Sequence, residues 1–283
     1  MTQRGQAPTA RLRRLAMELR QLRERAGLSR EQVAEATEIN RTTLYRIEMA
    51  QAKPQVRTLR ALLDVYDVSK DHRNDLIAIL KLAGEESWLQ TASEDLPGHY
   101  PTYIGFEREA TAVLNYQLSF IPGLLQTEAY ARTVIPGGAP ELSAAEVESR
   151  VAVRMARQVD RDPSPIIEVI IDEVALCRRT GGPKIMREQL QHLLNKSEKS
   201  NVTLRVIPLS VGVHPGMHGS FVILRFAHGV RDVVYIEVST TDLFLDNENE
   251  IRRYNLMFDQ LRAVSANQGE SRDLIARALA GIQ

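Results

Sequence analysis

The sequence predicts an N-terminal all-α bundle of five helices followed by a C-terminal α+β domain, in which a largely antiparallel sheet is flanked by helices. Three observations lead there. Residues 11–83 place their apolar side chains at helical spacing, residues 165–238 hold four β-branched runs bounded by Gly, Pro and Asp, and charge divides between the two parts of the chain. Residues 1–83 carry 16 Lys+Arg against 10 Asp+Glu, a net of +6, so the rest of a chain with 36 of each carries −6. A basic half is suited to phosphate and an acidic half is not. At 283 residues, 43% of them apolar, the chain has material for two cores. The expected organisation is a polar, disordered stretch at 1–10, the helical bundle at 11–83, a linker at 84–101 containing Pro97, Gly98 and Pro101, and a second domain at 102–283.

The first helix, residues 11–26, repeats Leu12, Leu15, Ala16, Leu19, Leu22 and Ala26 along one face, stops at Gly27 and turns an Arg-rich face outward. Ser29 with Gln32 three residues on is the pattern of a capping box, so a second helix starts at Arg30, with Val33, Ala34 and Thr37 at helical spacing. Asn40 is another N-cap. Leu44 and Ile47 follow it at i+4 and i+7 and point inward, leaving Arg41, Thr42, Thr43, Tyr45 and Arg46 on a polar face. Only Glu38 and Ile39 separate the two helices, and so short a turn forces a steep crossing: a helix-turn-helix. Lys53-Pro54 breaks the chain, Val56, Leu59, Leu62, Leu63 and Tyr66 stripe a fourth helix, and a fifth runs over 70–82 with Leu76, Ile77 and Leu80 inside and Gly84 as its stop.

In the second domain, residues 104–118 have helical spacing and SFIPGLLQ reads as extended, broken at Pro122-Gly123. Thr127 caps a helix through Ile135, and Ser143 with Glu146 boxes the start of another reaching about residue 160. That helix carries Arg150, Arg154 and Arg157 as a basic stripe, read as a solvated or salt-bridged face, with an acidic partner surface as the alternative. The strands are IIEVIID, TLRVIP, SFVILRF and VVYIEV, the last two flanking His228-Gly229 as a hairpin. Gly182-Pro183 opens a helix burying Ile185, Met186, Leu190, Leu193 and Leu194, and helices over 248–266 and 271–282 close the chain.

The sequence also excludes much. Cys177 is the single cysteine, so no intrachain disulfide forms, and it is read as a small apolar filler. No apolar run approaches the roughly 18 residues a membrane span needs, and a cytoplasmic protein is expected. There is no GxxxxGK[ST] loop, no GxGxxG after a strand, no HExxH and no CxxC, so neither an enzyme nor a cofactor is expected. His214 and His218, with His228 and Asp242 later, could chelate, but Pro215 and Gly216 preclude a helix there and no tetrahedral set is complete, so no metal is expected. Asp172-Glu173 ends a strand with no His near in sequence and is read as helix-capping rather than catalytic. The PGLLQT turn and the HPG loop are candidates to line a pocket, and Trp88 to dock the linker on a domain.

Residues 13–67 resemble the helix-turn-helix domain of the xenobiotic-response-element (XRE) family, which includes the lambdoid phage repressors. The resemblance implies that Arg41, Thr42 and Arg46 face base edges in the major groove of double-stranded DNA and that Arg30 meets a phosphate. Gln32, Thr43, Lys53 and Arg57 are the other expected backbone contacts. The chemistry fits, since Arg can bridge guanine O6 and N7 and a Thr methyl can meet a thymine methyl. Family members usually have Gly where Glu38 and Ala50 stand, at positions favouring positive φ, which costs another residue roughly 1 kcal/mol.

Residues 99–283 resemble the C-terminal domain of an actinomycete group of such regulators, WhiJ-like or antitoxin-like, through YPTYIGFEREA, FIPGLLQTEAYAR, RVAVRMARQ, TGGPKIMREQLQHLL and HPGMHGSFVILRF. Members of that group sit beside a gene for a small partner protein. The expectation is a sequence-specific, homodimeric DNA-binding regulator whose second domain receives a signal from a small partner protein encoded nearby. Two alternatives stand beside it: an antitoxin-like protein whose main role is to bind a toxin-like partner, and a metabolite-sensing regulator.

Overall fold

A computed structural model describes residues 10–82, 100–159, 164–227, 231–238 and 242–282. Residues 1–9 of the expected disordered start at 1–10, most of the linker with Trp88, and the His228-Gly229 turn lie outside the described residues, while Ala10 already opens the first helix. The described residues divide into two compact units, one holding residues 10–82 with Tyr100–Phe106, the other residues 107–282.

Residues 10–82 of the first unit form five helices: α1 (Ala10–Arg25), α2 (Arg30–Thr37), α3 (Arg41–Glu48), α4 (Val56–Val65) and α5 (Lys70–Leu82). Their starts are set by local chemistry. Ser29 Oγ accepts from the Gln32 amide while Gln32 Oε1 accepts from the Ser29 amide, and Asn40 Oδ1 accepts from the Thr42 amide. The i, i+3, i+4 stripes then converge on one core of Leu15, Leu19, Val33, Leu44, Ile47, Leu59, Leu62, Leu63, Leu76 and Leu80, every one at most 2% exposed.

A further helix, α6 (Tyr100–Glu109), precedes the first strand. The second unit is a six-stranded mixed sheet in the order β3-β2-β1-β4-β5-β6, formed by β1 (Ala112–Gln117), β2 (Ile166–Asp172), β3 (Val202–Ile207), β4 (Phe221–Arg225), β5 (Val233–Glu237) and β6 (Asp242–Leu245). Three of its five pairings are antiparallel, as expected of a largely antiparallel sheet, and β1·β2 and β2·β3 are parallel. Helices α7 (Glu128–Gly138) and α8 (Ala144–Ala156) cross over from β1 to β2, and the short α9 (Glu173–Cys177) and α10 (Pro183–Lys196) cross from β2 to β3. After the sheet come α11 (Glu248–Val264) and α12 (Gln268–Ala280).

Alternation along the strands builds two cores. Val169, Ile171, Leu204 and Val206 pack with Tyr130, Met186, Leu190, Leu193 and Ile275 on one face. Ile170, Leu114, Tyr116, Phe221, Ile223 and Val234 meet Phe258 and Leu261 of α11 on the other.

Two sequence readings change here. The single helix expected over 104–118 is α6 followed by the central strand β1, which is buried on both faces (Val113, Leu114, Asn115, Tyr116) and so shows no alternation to mark it as a strand. Cys177, expected as buried filler, is exposed at the end of α9.

Candidate DNA-binding interface

The turn between α2 and α3 is reached through left-handed backbone. Glu38 closes α2 at φ 57° and Ala50 follows α3 at φ 55°, the two places where the sequence has no glycine. After α3 the Gln51 amide donates back to the Arg46 carbonyl at 2.7 Å, a bond spanning five residues that requires Ala50 to be left-handed. The protein therefore keeps the helix-turn-helix geometry and carries the strain in two L-residues.

Helix α3 is amphipathic in the expected sense. Leu44 and Ile47 are buried, while Arg41, Thr42, Thr43, Tyr45 and Arg46 are all exposed, and Lys53 and Arg57 are exposed beyond its end. Arg41 is 70% exposed and its Nε lies 2.8 Å from Glu31 Oε1 of α2. Glu31 is held below the usual carboxylate range, first by its own backbone amide and further by Arg41, Ser29 and Arg30. Of the expected backbone contacts, Gln32 uses its carbonyl oxygen in the capping box, and Arg30 gives its Nε to Glu48 Oε2 at 2.7 Å with its guanidinium 5.4 Å from the centre of the Tyr45 ring.

Sequence reading missed what stands behind this face. The Glu48 side chain is wholly buried, and its two oxygens accept from Arg23 Nε at 2.6 Å, Arg23 Nη2 at 3.2 Å and Arg30 Nε at 2.7 Å. Arg23 also donates to the Leu28 carbonyl at 2.9 Å, closing the end of α1. One carboxylate thus ties α1, α2 and α3 together. The first helix turns an Arg-rich face outward by its sequence, yet Arg23 is only 7% exposed. A signal was present: Arg23 stands four residues past Leu19, and Glu48 four past Leu44, so both fall on core stripes.

In the second unit the residues weighed for other chemistry are placed as follows. Asp172 Oδ1 caps α9 by accepting from the Val174 amide, as read from sequence, but its Oδ2 meets His214 Nε2 at 3.0 Å in a buried pair that 42 residues of separation had concealed. Tyr116 lies edge-on to His214 with 6.3 Å between ring centres, and a Cβ added at Gly216 would fall on the Tyr116 ring. Burial, and next the Asp172 charge, pushes the Tyr116 phenol up. Glu173 accepts from the Leu209 amide at 2.7 Å. His218 is exposed, and among the described residues no group of three His, Cys, Asp or Glu could hold a metal.

The basic stripe of α8 is not a partner surface at two of its three positions. Arg157, with 5% of its side chain exposed, makes a bidentate bond to the buried Glu107 at 2.9 and 2.7 Å, and Arg154 donates to Gln126 at 3.0 Å. Gln126, Gln158 and Gln189 pin the PGLLQT turn through its backbone, with Leu124 and Leu125 buried.

A helix-turn-helix whose second helix presents an exposed polar face defines the class: a DNA-binding domain of the kind found in transcription regulators. A family profile described as a helix-turn-helix domain matches residues 14–76. The chain belongs to the family described as a domain of unknown function (DUF5753), whose profile matches residues 100–277. Neither the curated proteins nor the solved structures give a match to the chain. Among the described residues no helix is long and apolar enough to cross a membrane.

Proposed function

We propose that the protein is a cytoplasmic, sequence-specific transcription regulator of XRE type that acts as a homodimer, α3 of each copy entering the major groove of one half-site. The exposure of Arg41, Thr42, Thr43 and Arg46 together, over a buried Leu44–Ile47 base, carries this reading. In it Arg41, Thr42 and Arg46 read base edges. Arg30, Gln32, Thr43, Lys53 and Arg57 serve the backbone, Arg30 through its Nη groups because its Nε is already engaged. Two half-sites lie one helical turn, about 34 Å, apart. The second domain is a receiver rather than an enzyme. We assign it a small protein partner, as in the WhiJ-like, antitoxin-like regulators; Leu209, Val213 and Met217, exposed by 56, 90 and 55% on the β3-to-β4 connection, support a protein-facing surface. An antitoxin-like role is the second reading those side chains favour.

The test is selection of duplexes from a randomised library by the full-length protein. An enriched sequence with two repeated halves is expected, and Arg46→Ala should bind it about 5- to 150-fold more weakly, the equivalent of roughly 1 to 3 kcal/mol for a base-reading arginine. A library that stays random after selection would overturn the reading.

A further inference from the structure

We propose that Glu31 is a positioning residue that aims Arg41 at its base. The inference rests on the DNA-reading role given to α3 and goes beyond it. A carboxylate faces Nε of the first arginine in each helix, Glu48 accepting a hydrogen bond from Arg30 at 2.7 Å and Glu31 forming an ion pair with Arg41 at 2.8 Å. A carboxylate drawn to the Nε edge leaves the two Nη groups turned away from it and restricts where the guanidinium lies. That is the end-on fork that can donate to O6 and N7 of one guanine.

The two carboxylates differ in setting. Glu48 is buried and belongs to the fold, whereas Glu31 is 53% exposed in the first turn of α2, beside the groove-facing side of α3. In water an exposed pair of this kind adds little to stability. Its effect on binding is larger, because the pair is strengthened when the groove excludes water and because Arg41 enters with its side chain already ordered. The same carboxylate repels phosphate. Glu31 therefore has opposite effects on the two kinds of binding: it lowers affinity for any duplex and raises the preference for the right one.

The experiment uses the full-length protein and the duplex enriched from a randomised library, with the three other base pairs substituted at the guanine whose preference Arg41→Ala abolishes. Binding is followed by fluorescence anisotropy at several salt concentrations, and unfolding by circular dichroism confirms that the variants are folded. Glu31→Ala is expected to reduce discrimination at that base pair by about three- to tenfold while tightening binding to an unrelated duplex. Its plot of log affinity against log salt should steepen by about 0.9, as Arg41 becomes free to contact a phosphate. Glu31→Gln, whose amide oxygen can accept from Nε as it moves into line, should hold discrimination to within about twofold.

If Ala and Gln behave alike, Glu31 acts by charge alone and the positioning role is overturned. If Arg41→Ala loses the preference and Glu31→Ala keeps it, the positioning role falls and the reading of α3 stands. If Arg41→Ala leaves every base preference unchanged, Arg41 is not a base reader and both fail.

Discussion

Replacing Glu48 by Gln removes one charge from a site that holds three groups together. Wild-type Glu48 accepts three charge-assisted bonds from two arginines while none of its side chain is exposed. Gln leaves one acceptor and turns an NH2 toward a guanidinium, so donor faces donor. Each bond to a charged group has a net worth of about 1.5–3 kcal/mol, but the sum overstates the loss because both partners were desolvated. Arg30, 30% exposed, can take water instead; Arg23, 9% exposed, cannot. Leaving buried Arg23 with only the Leu28 carbonyl and the half-exposed Glu24 at 3.6 Å is the larger part, and breaking a buried pair from one side typically loses about 3–5 kcal/mol.

We expect a loss near the lower end, about 3 kcal/mol, for Glu48→Gln, and about 1 kcal/mol or less for Arg30→Ala. The assay is amide hydrogen exchange of full-length protein, followed in peptides spanning α3, whose opening free energy should fall by that amount. Arg23→Met with Glu48→Leu should recover most of it, because the double variant buries no unpaired charge. Protection of α3 in Glu48→Gln within about 0.5 kcal/mol of wild type would refute the claim that this carboxylate joins the three helices.

Four further outcomes follow from the same geometry. Glu38→Gly should stabilise the first unit by up to about 1 kcal/mol, read by urea denaturation, since Glu38 is exposed and left-handed; Ala50→Gly should gain less, because a methyl at a 7% exposed site is lost with the strain. Lys53→Ala should weaken binding to all duplexes alike and flatten the salt dependence by about one phosphate contact, unlike Arg46→Ala. Gly216→Ala should lower the melting temperature of the second unit, because its Cβ would meet the Tyr116 ring. Glu146 is held below the ordinary carboxylate range by the Ser143 side chain and then its backbone. Its stabilisation of the α8 start is therefore present above the unfolded-state value and lost as pH falls through the depressed one. Exchange at residues 144–147 should rise there in acid, and Glu146→Gln should remove that dependence.

What was legible in the sequence was local. Ser29 with Gln32, Asn40, Thr127 and Ser143 with Glu146 announce helix starts by bonds made within three residues, and each cap forms as read. The missing glycines at 38 and 50 pointed to strained backbone, and both residues are left-handed. What was not legible depends on distance or on two-sided burial. Strand β1 has no polar face to alternate with, and the four residues of β6 are too few to establish a period. The Arg23–Glu48, Glu107–Arg157 and Asp172–His214 pairs join residues 25, 50 and 42 positions apart, and nothing near either partner in sequence names the other. Arg23 and Glu48 did carry a hint, since a charged residue on an apolar stripe must find a partner inside.

Methylation interference at guanine N7 tests the central claim, that the exposed face of α3 reads the major groove. Partially methylated duplex carrying the selected sequence is bound by full-length protein, and bound and free fractions are cleaved and compared. Interference is expected at guanines in two clusters about 10 base pairs apart, and one guanine in each cluster should cease to matter in Arg41→Ala or Arg46→Ala. Interference confined to adenine N3 in the minor groove, or a pattern identical in wild type and both variants, would contradict it.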